Sequence, residues 1–545
     1  MSKYSIGIDF GTLSGRAVLV DVSDGREIAQ ATLEYKHGVM DEYLCDTSVK
    51  LPHDYALQHP ADYIEVIEYC IPKILESSGV HNSDIIGIGV DFTSCTVIPV
   101  FEDGSPLCMS DTFNKVPDAY VKLWKDHSSL PHADKITELA KNEGYSFIER
   151  YGGAVSSEWM IPKIMHIAAN SPPVYDEADY FIEAADWIVW QLTGIQARSA
   201  CTCGYKSLWH YEEGYPPTSF FEKLDPRFTD LVTKKLNAPV LPLGTKVGCL
   251  CKEWADKLGL NAGTSVAVGN IDGHATVPAA KVVQPGQMLM ILGTSACFMT
   301  LDKRELDVRE IAGCVKNGMI PGFYGYEAGQ ACMGDHFAWF VKNMMPYEYS
   351  VAARNQGKSD IVYMFEKAAE LKAGETGLIA LDWWNGNRAL PCRDGLSGTI
   401  IGMDLSTKPE HIFRALVEST AYGARKIIDN FREYGLNINI IHAAGGIAEK
   451  NSFVMQLYAD ILNMDIMISG SSQAAALGAA IFGAVAGGAY ESVVEASDNM
   501  GKLKDIVYKP NPDNRNVYDS LYEEYCRMYN YFGRENNTMS KIKNL

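Results

Sequence analysis

The feature that most constrains this chain is an arrangement that it carries twice. Ile6 to Asp21, IGIDFGTLSGRAVLVD, reads as an apolar strand, a turn rich in glycine and hydroxyls, and a returning strand. Gly286 to Leu301, GQMLMILGTSACFMTL, repeats that order with its own Gly-Thr-Ser turn. Two such openings predict two related α/β units, each started by a hairpin. A chain of 545 residues, 47% hydrophobic and 21% charged, is long enough to give each unit a full core.

The turns carry chemistry. Gly11, Thr12, Ser14 and Gly15 offer open backbone N–H groups and hydroxyls able to cradle phosphate oxygens, and Arg16 adds positive charge. Gly293, Thr294 and Ser295 make the matching turn in the second half. Asp9 stands just before the first turn, where a carboxylate suits Mg²⁺ held through water. A plain hairpin turn is the simpler reading of either segment alone. Taken as a pair, they would let two halves close on one polyphosphate.

Charge narrows the partners. Acidic residues outnumber basic ones, 68 to 48, for a formal charge of −20, which opposes attraction to nucleic acid or an anionic membrane surface. The opening MSKYSIGIDFG has no targeting pattern, so a cytoplasmic protein is expected. The thirteen cysteines read as reduced thiols. The pairs Cys201 with Cys203 and Cys249 with Cys251 lie one residue closer than structural zinc spacing favours.

One acid stands apart. Asp272, in GNIDGHA from Gly269 to Ala275, ends an apolar run in a glycine-flanked turn that can present its carboxylate to a ligand. An Asx-turn or helix cap is the plain alternative. Before it come polar and aromatic clusters suited to a sugar: the loop Asp91 to Thr96 with Thr93, the segment LWKDHSS with Trp124 and Asp126, SSEW followed by Lys163, and Lys206 within GYKSLWH. After it, Glu327 lies in GYEAGQ. The Gly445–Gly446 turn lets backbone approach a nucleotide, and Asn451 can cap the helix that follows. Ala474 to Gly488 is a small-residue helix for close packing, and the tail from Lys502 reads as a polar helix with frayed ends.

Together, IGIDFGTLSGR, the GTS turn, AAGGIAEKNSFVMQLYADIL and ALGAAIFGAV resemble the FGGY carbohydrate kinases, across nearly the whole chain. The resemblance implies two actin-like, ribonuclease H-like ATPase domains with an active-site cleft between them, divided at 1–280 and 281–545. The first would carry most sugar contacts and the second most ATP contacts. It further implies Asp272 as general base, and Asp91, Thr93, Thr96, Trp124, Asp126, Lys206 and Glu327 as sugar-side residues. Gly11, Thr12, Ser14, Arg16, Gly293, Thr294, Ser295, Gly445, Gly446 and Asn451 would hold ATP, and Asp9 with Asp272 would hold Mg²⁺. GVDFTSCT, LWKDH, SSEW and GYKSLWH resemble the segments of family members that phosphorylate L-ribulose at its 5-hydroxyl. D-ribulose or D-xylulose is the rival substrate, and a non-catalytic nucleotide switch of the actin or Hsp70 kind the rival class. A homodimer is a candidate assembly.

Overall fold

The computed structural model describes residues 2–387, 395–543 and 545. Strand alternation decides the first sheet. In β1 (Tyr4–Phe10), Ile6, Ile8 and Phe10 enter one apolar core, while Ser5 and Gly7 lie on the opposite face. β2 (Ser14–Asp21) and β3 (Glu27–Glu34) return antiparallel on one side of β1. On the other side β4 (Ile85–Phe92) runs parallel, followed by β5 (Lys246–Cys249) and β6 (Ser265–Ala267), to give the order β5-β6-β4-β1-β2-β3.

The second half rebuilds this plan. It comprises β7 (Gly286–Leu292), β8 (Ala296–Asp302), β9 (Gly313–Lys316), β10 (Tyr324–Gln330), β11 (Ile438–Ala444), β12 (Ile466–Ser469) and β13 (Leu503–Tyr508), ordered β9-β10-β8-β7-β11-β12-β13. In both sheets the opening strand has its hairpin partner on one side and a parallel strand on the other. The duplicated hairpin is therefore the start of a duplicated sheet. This is the two-lobed α/β architecture expected from the sequence.

Each sheet has one face covered by a long amphipathic helix. α1 (Pro60–Ser78) starts on a proline and stops at Gly79, whose φ of 66° is a left-handed cap; its Val66, Ile67, Cys70, Ile71 and Ile74 pack with Ile6, Ile8 and Phe10. An insertion between β4 and β5, which contains α2 (Ala200–Lys206), builds with Met40, Leu44, Leu51, Tyr55 and Leu57 a separate apolar core around Ile164 and Phe220. α3 (Asp272–Ala279) follows the first sheet, and α4 (Pro409–Glu433) covers the second as α1 covers the first.

The short α5 (Gly446–Lys450) and α6 (Ser452–Leu462) precede α7 (Ala474–Ala486), the small-residue helix, which crosses back onto the first sheet. A Cβ on Gly7 would sit 1.8 Å from Ala476 O, one on Gly89 1.9 Å from Ala479 O, and one on Gly478 1.7 Å from Ala275 O. No side chain fits there, which is why the helix and the strands beneath it carry glycine where they touch. α7 and α3 thus pack backbone to backbone at the junction of the lobes.

The tail departs from expectation. β13 pairs antiparallel with β12, and α8 (Arg515–Asn530) buries Tyr518, Tyr522, Tyr525 and Tyr529 against the second core. Those tyrosines recur at helical spacing; the charged face of the same helix hid the pattern in its composition. Among the described residues, no helix is long and apolar enough to cross a membrane.

Candidate active site

Three neighbouring chain ends deliver three carboxylates. Asp9 in β1 stands in register with Asp91 in β4, two residues beyond the paired Gly7 and Gly89. The short strand Asn270–Ile271 pairs with β4 at Asp91 and Phe92, and Asp272 follows as the first residue of α3. The matching strings IGID and IGVD were a signal for this pairing, because period-two alternation puts glycine under α7 and aspartate at the strand end. Burial, then Asp9 and Asp272, push the Asp91 carboxyl well above its usual range. Neither of its oxygens meets a donor among the described residues.

Burial also raises Asp9, although Arg16 Nε lies 3.3 Å away and opposes the shift. Asp272 is pushed up to about 7, first by its enclosure and then by Asp9, while the Gly273 N–H donates to its Oδ1 at 2.6 Å and pulls the other way. Carboxylate oxygens are donors that suit a hard divalent cation rather than a thiophilic one.

Beside Asp272 opens a cleft of about 510 Å³, lined from both lobes by Thr12, Thr93, Trp124, Lys206, Asp272, Ser295 and Glu327. The Trp124 indole N–H donates to Thr12 Oγ1 at 3.1 Å, joining the aromatic wall to the first glycine turn. Lys206, at the end of α2, donates to Glu327 of β10 at 3.1 Å, an ion pair from lobe to lobe. Burial opposes the Glu327 charge, but Lys206 and His274 outweigh it and hold the carboxyl well below its usual range. His274 Nε2 lies 3.4 Å from Glu327 and its Nδ1 2.9 Å from Cys201 Sγ. Sequence reading missed His274, although it stands two residues after Asp272 on the same helix.

Other expected sugar-side residues lie behind this wall. Asp126 is fully buried, 3.4 Å from Lys122 Nζ, and accepts from the Ala56 N–H at 3.2 Å. Thr96 is also fully buried: its N–H donates to Glu183 and its hydroxyl to Thr93 O. Lys163 donates to Cys95 O at 2.6 Å and Leu123 O at 2.8 Å, tying the loop after β4 to the segment that bears Trp124.

The glycine turns are braced from outside. The Gly11 N–H donates to Ser14 O, the Tyr35 hydroxyl to Gly11 O, and Gln58 Nε2 to Thr12 O. Arg16 is committed to Asp9 and, through Nη1, to Gln473 Oε1 at 3.1 Å. In the second lobe the Gly293 N–H donates to Ser295 O, and the Thr294 carbonyl accepts from the Met333 N–H. Gly445, with φ 94°, passes so close to Leu292 that a Cβ would stand 2.5 Å from its carbonyl oxygen, and Gly446 opens α5. Asn451 caps α6 by accepting from the Val454 N–H at 3.1 Å.

The family model for the N-terminal domain of the FGGY family of carbohydrate kinases matches residues 4–277, and that for its C-terminal domain residues 288–487. The chain belongs to the FGGY family of carbohydrate kinases. This FGGY kinase is 50% identical to a ribulokinase of Geobacillus thermodenitrificans, over 99% of this chain and 97% of the relative. It is 51% identical to a ribulokinase of Bacillus licheniformis, over 98% and 97%. Among solved structures, the ligand-bound xylulose kinase of Lactobacillus acidophilus aligns with a TM-score of 0.80 at 20% identity, covering 98% and 99% of the two chains, and shows the shared fold. FGGY kinases transfer phosphate from ATP, so the chain is a phosphotransferase and a divalent metal is expected with its nucleotide.

Proposed function

We propose that this FGGY kinase phosphorylates L-ribulose at the 5-hydroxyl, using ATP with Mg²⁺. The observation that carries this reading is Asp272: a carboxyl raised to about 7 at the lobe junction, open to a cleft whose walls supply the Lys206–Glu327 pair on one side and glycine turns on the other. The curated relatives at about half identity over nearly the full chain are named ribulokinases, which favours L-ribulose over D-ribulose or D-xylulose.

In this reading Trp124 and the Lys206–Glu327 pair orient the ketopentose, and Asp272 accepts the proton of the 5-hydroxyl as that oxygen bonds to the γ-phosphorus. The bond from γ-phosphorus to the β–γ bridging oxygen breaks, and ADP leaves with the electron pair. Thr12, Ser14, Thr294 and Ser295 offer hydroxyl donors to the phosphates on turns shaped by Gly11 and Gly293, while Gly445 and Gly446 let the nucleotide approach the second sheet. Asp9 and Asp272, with Asp91 between them, would hold Mg²⁺, which neutralises phosphate charge. The ion would also relieve the repulsion among the three acids. The division of labour between residues 1–280 and 281–545, and residence in the cytoplasm, belong to the same proposal.

A coupled measurement of ADP release across the 2-ketopentoses tests it. The highest kcat/KM is expected with L-ribulose; sugar-independent ADP release, or a preference for D-xylulose, overturns the assignment.

A further inference from the structure

Outside the cleft, the chain between β3 and α1 gathers side chains that the kinase reaction does not use. We propose that His37, Cys45 and Asp46 form a binding site for a Zn²⁺-class transition-metal ion beside the start of α1. A ring nitrogen of His37, the Cys45 sulfur and a carboxylate oxygen of Asp46 all lie within 4.8 Å of one another.

A second observation concerns the imidazole. Asp62, buried in the first turn of α1, accepts from both the backbone N–H of His37 at 3.2 Å and its Nδ1 at 2.7 Å. With Nδ1–H given to the carboxylate, Nε2 keeps its lone pair. A carboxylate on the far nitrogen is the arrangement that fixes the tautomer and orientation of metal-bound imidazoles. The ring of His59, the residue that caps α1, stacks on His37 with centroids 4.4 Å apart and holds its plane.

The other two donors arrive together. Asp46 adopts φ 54°, a conformation that few residues other than glycine take, and with it Cys45 and Asp46 face the same imidazole although they are consecutive. Cys45 is half-buried and has no disulfide partner.

The donor set selects the ion. Thiolate, imidazole and carboxylate suit Zn²⁺ and its neighbours, in contrast to the all-oxygen set of Asp9, Asp91 and Asp272. Bond lengths of about 2.0–2.3 Å in a tetrahedron place ligand atoms about 3.3–3.8 Å apart. Rotation of the exposed Asp46 and the half-buried Cys45 side chains closes the present separation, and water completes the shell. The same stretch of chain carries Tyr35, which holds the Gly11 carbonyl of the first glycine turn. The ion would therefore clamp the strap that braces that turn.

The test uses the full chain stripped with a chelator and titrated with Co²⁺ alone, then with Zn²⁺ against a chromophoric competitor. One Co²⁺ per chain is expected to give a thiolate-to-cobalt charge-transfer band in the near ultraviolet, which the all-oxygen site of Asp9, Asp91 and Asp272 cannot give and Cys45→Ser abolishes. Zn²⁺ affinity should fall at least ~10-fold in Cys45→Ser and also in Asp62→Asn, which removes only the orienting carboxylate. Cys45→Ser is nearly isosteric and lies outside the catalytic cleft, and a circular dichroism spectrum and Tm equal to those of the metal-stripped parent certify its fold. A band that persists in Cys45→Ser, or equal Zn²⁺ affinity in that variant and the parent, overturns the proposal.

Discussion

In the proposed reaction Asp272 acts as the base while largely enclosed beside another acid. Its raised pKa makes two opposite demands. The ionised fraction available as base falls about tenfold per pH unit below the pKa. We therefore expect kcat/KM to decline as pH drops through about 7 in the free enzyme, and a pH–rate profile with no such limb would remove Asp272 from that role. Asp272→Asn should lower kcat at least ~10²-fold while calorimetry still finds ATP and sugar bound. The same variant bears on stability. A carboxyl whose folded pKa lies above its unfolded value of about 3.9 costs the native state progressively as pH rises from about 4 to about 7. Asp272→Asn should accordingly melt higher than the parent at about pH 8 and lose that advantage at about pH 4. The tested quantity is the pH dependence of the difference in Tm.

At the scale of elements, glycine decides how the lobes meet. Gly478 and Gly89 let α7 lie against Ala275 and β4 with carbonyl oxygens where a Cβ would stand, and neither neighbour is a movable side-chain tip. Gly478→Ala should therefore destabilise by at least ~1–3 kcal/mol, although alanine is the better helix former. A denaturation midpoint unchanged from the parent would show that the junction yields. In α8, the Tyr525 hydroxyl donates to the buried Asp382 at 2.7 Å, beside Gln330 Nε2 at 2.8 Å. Tyr525→Phe leaves one buried carboxylate oxygen without that donor and should cost ~1–3 kcal/mol in urea unfolding. A cost near zero would return the tail to the peripheral role its polar composition suggested.

Over the whole molecule, the cleft is lined by Trp124 and Lys206 of the first lobe and by Ser295 and Glu327 of the second, joined where α3 and α7 pack. A ligand that touches both lobes stabilises their closed arrangement, so each substrate should favour the other. L-ribulose and a non-hydrolysable ATP analogue together should raise Tm by more than the sum of their separate shifts and shrink the radius of gyration in small-angle scattering. Additive shifts with unchanged dimensions would mean rigid, independent sites.

How much of this was legible follows from the range of each interaction. Hairpin turns, the glycine-flanked acid, the cap at Asn451 and the small-residue helix are local patterns, set by a few neighbouring residues and by periodicity, and the sequence alone determined them. It also determined the repeat, because two stretches of the same chain can be compared without coordinates. What only the tertiary structure decided was the direction of long or polar side chains. Asp126 looked like a sugar contact and instead pairs with the buried Lys122; Arg16 looked free for phosphate and is held by Asp9 and Gln473. Asp91 meets Asp9 and Asp272 only because strands far apart in the chain lie side by side. Burial and charge pairing depend on what packs from a distance, and no local spacing encodes that partner.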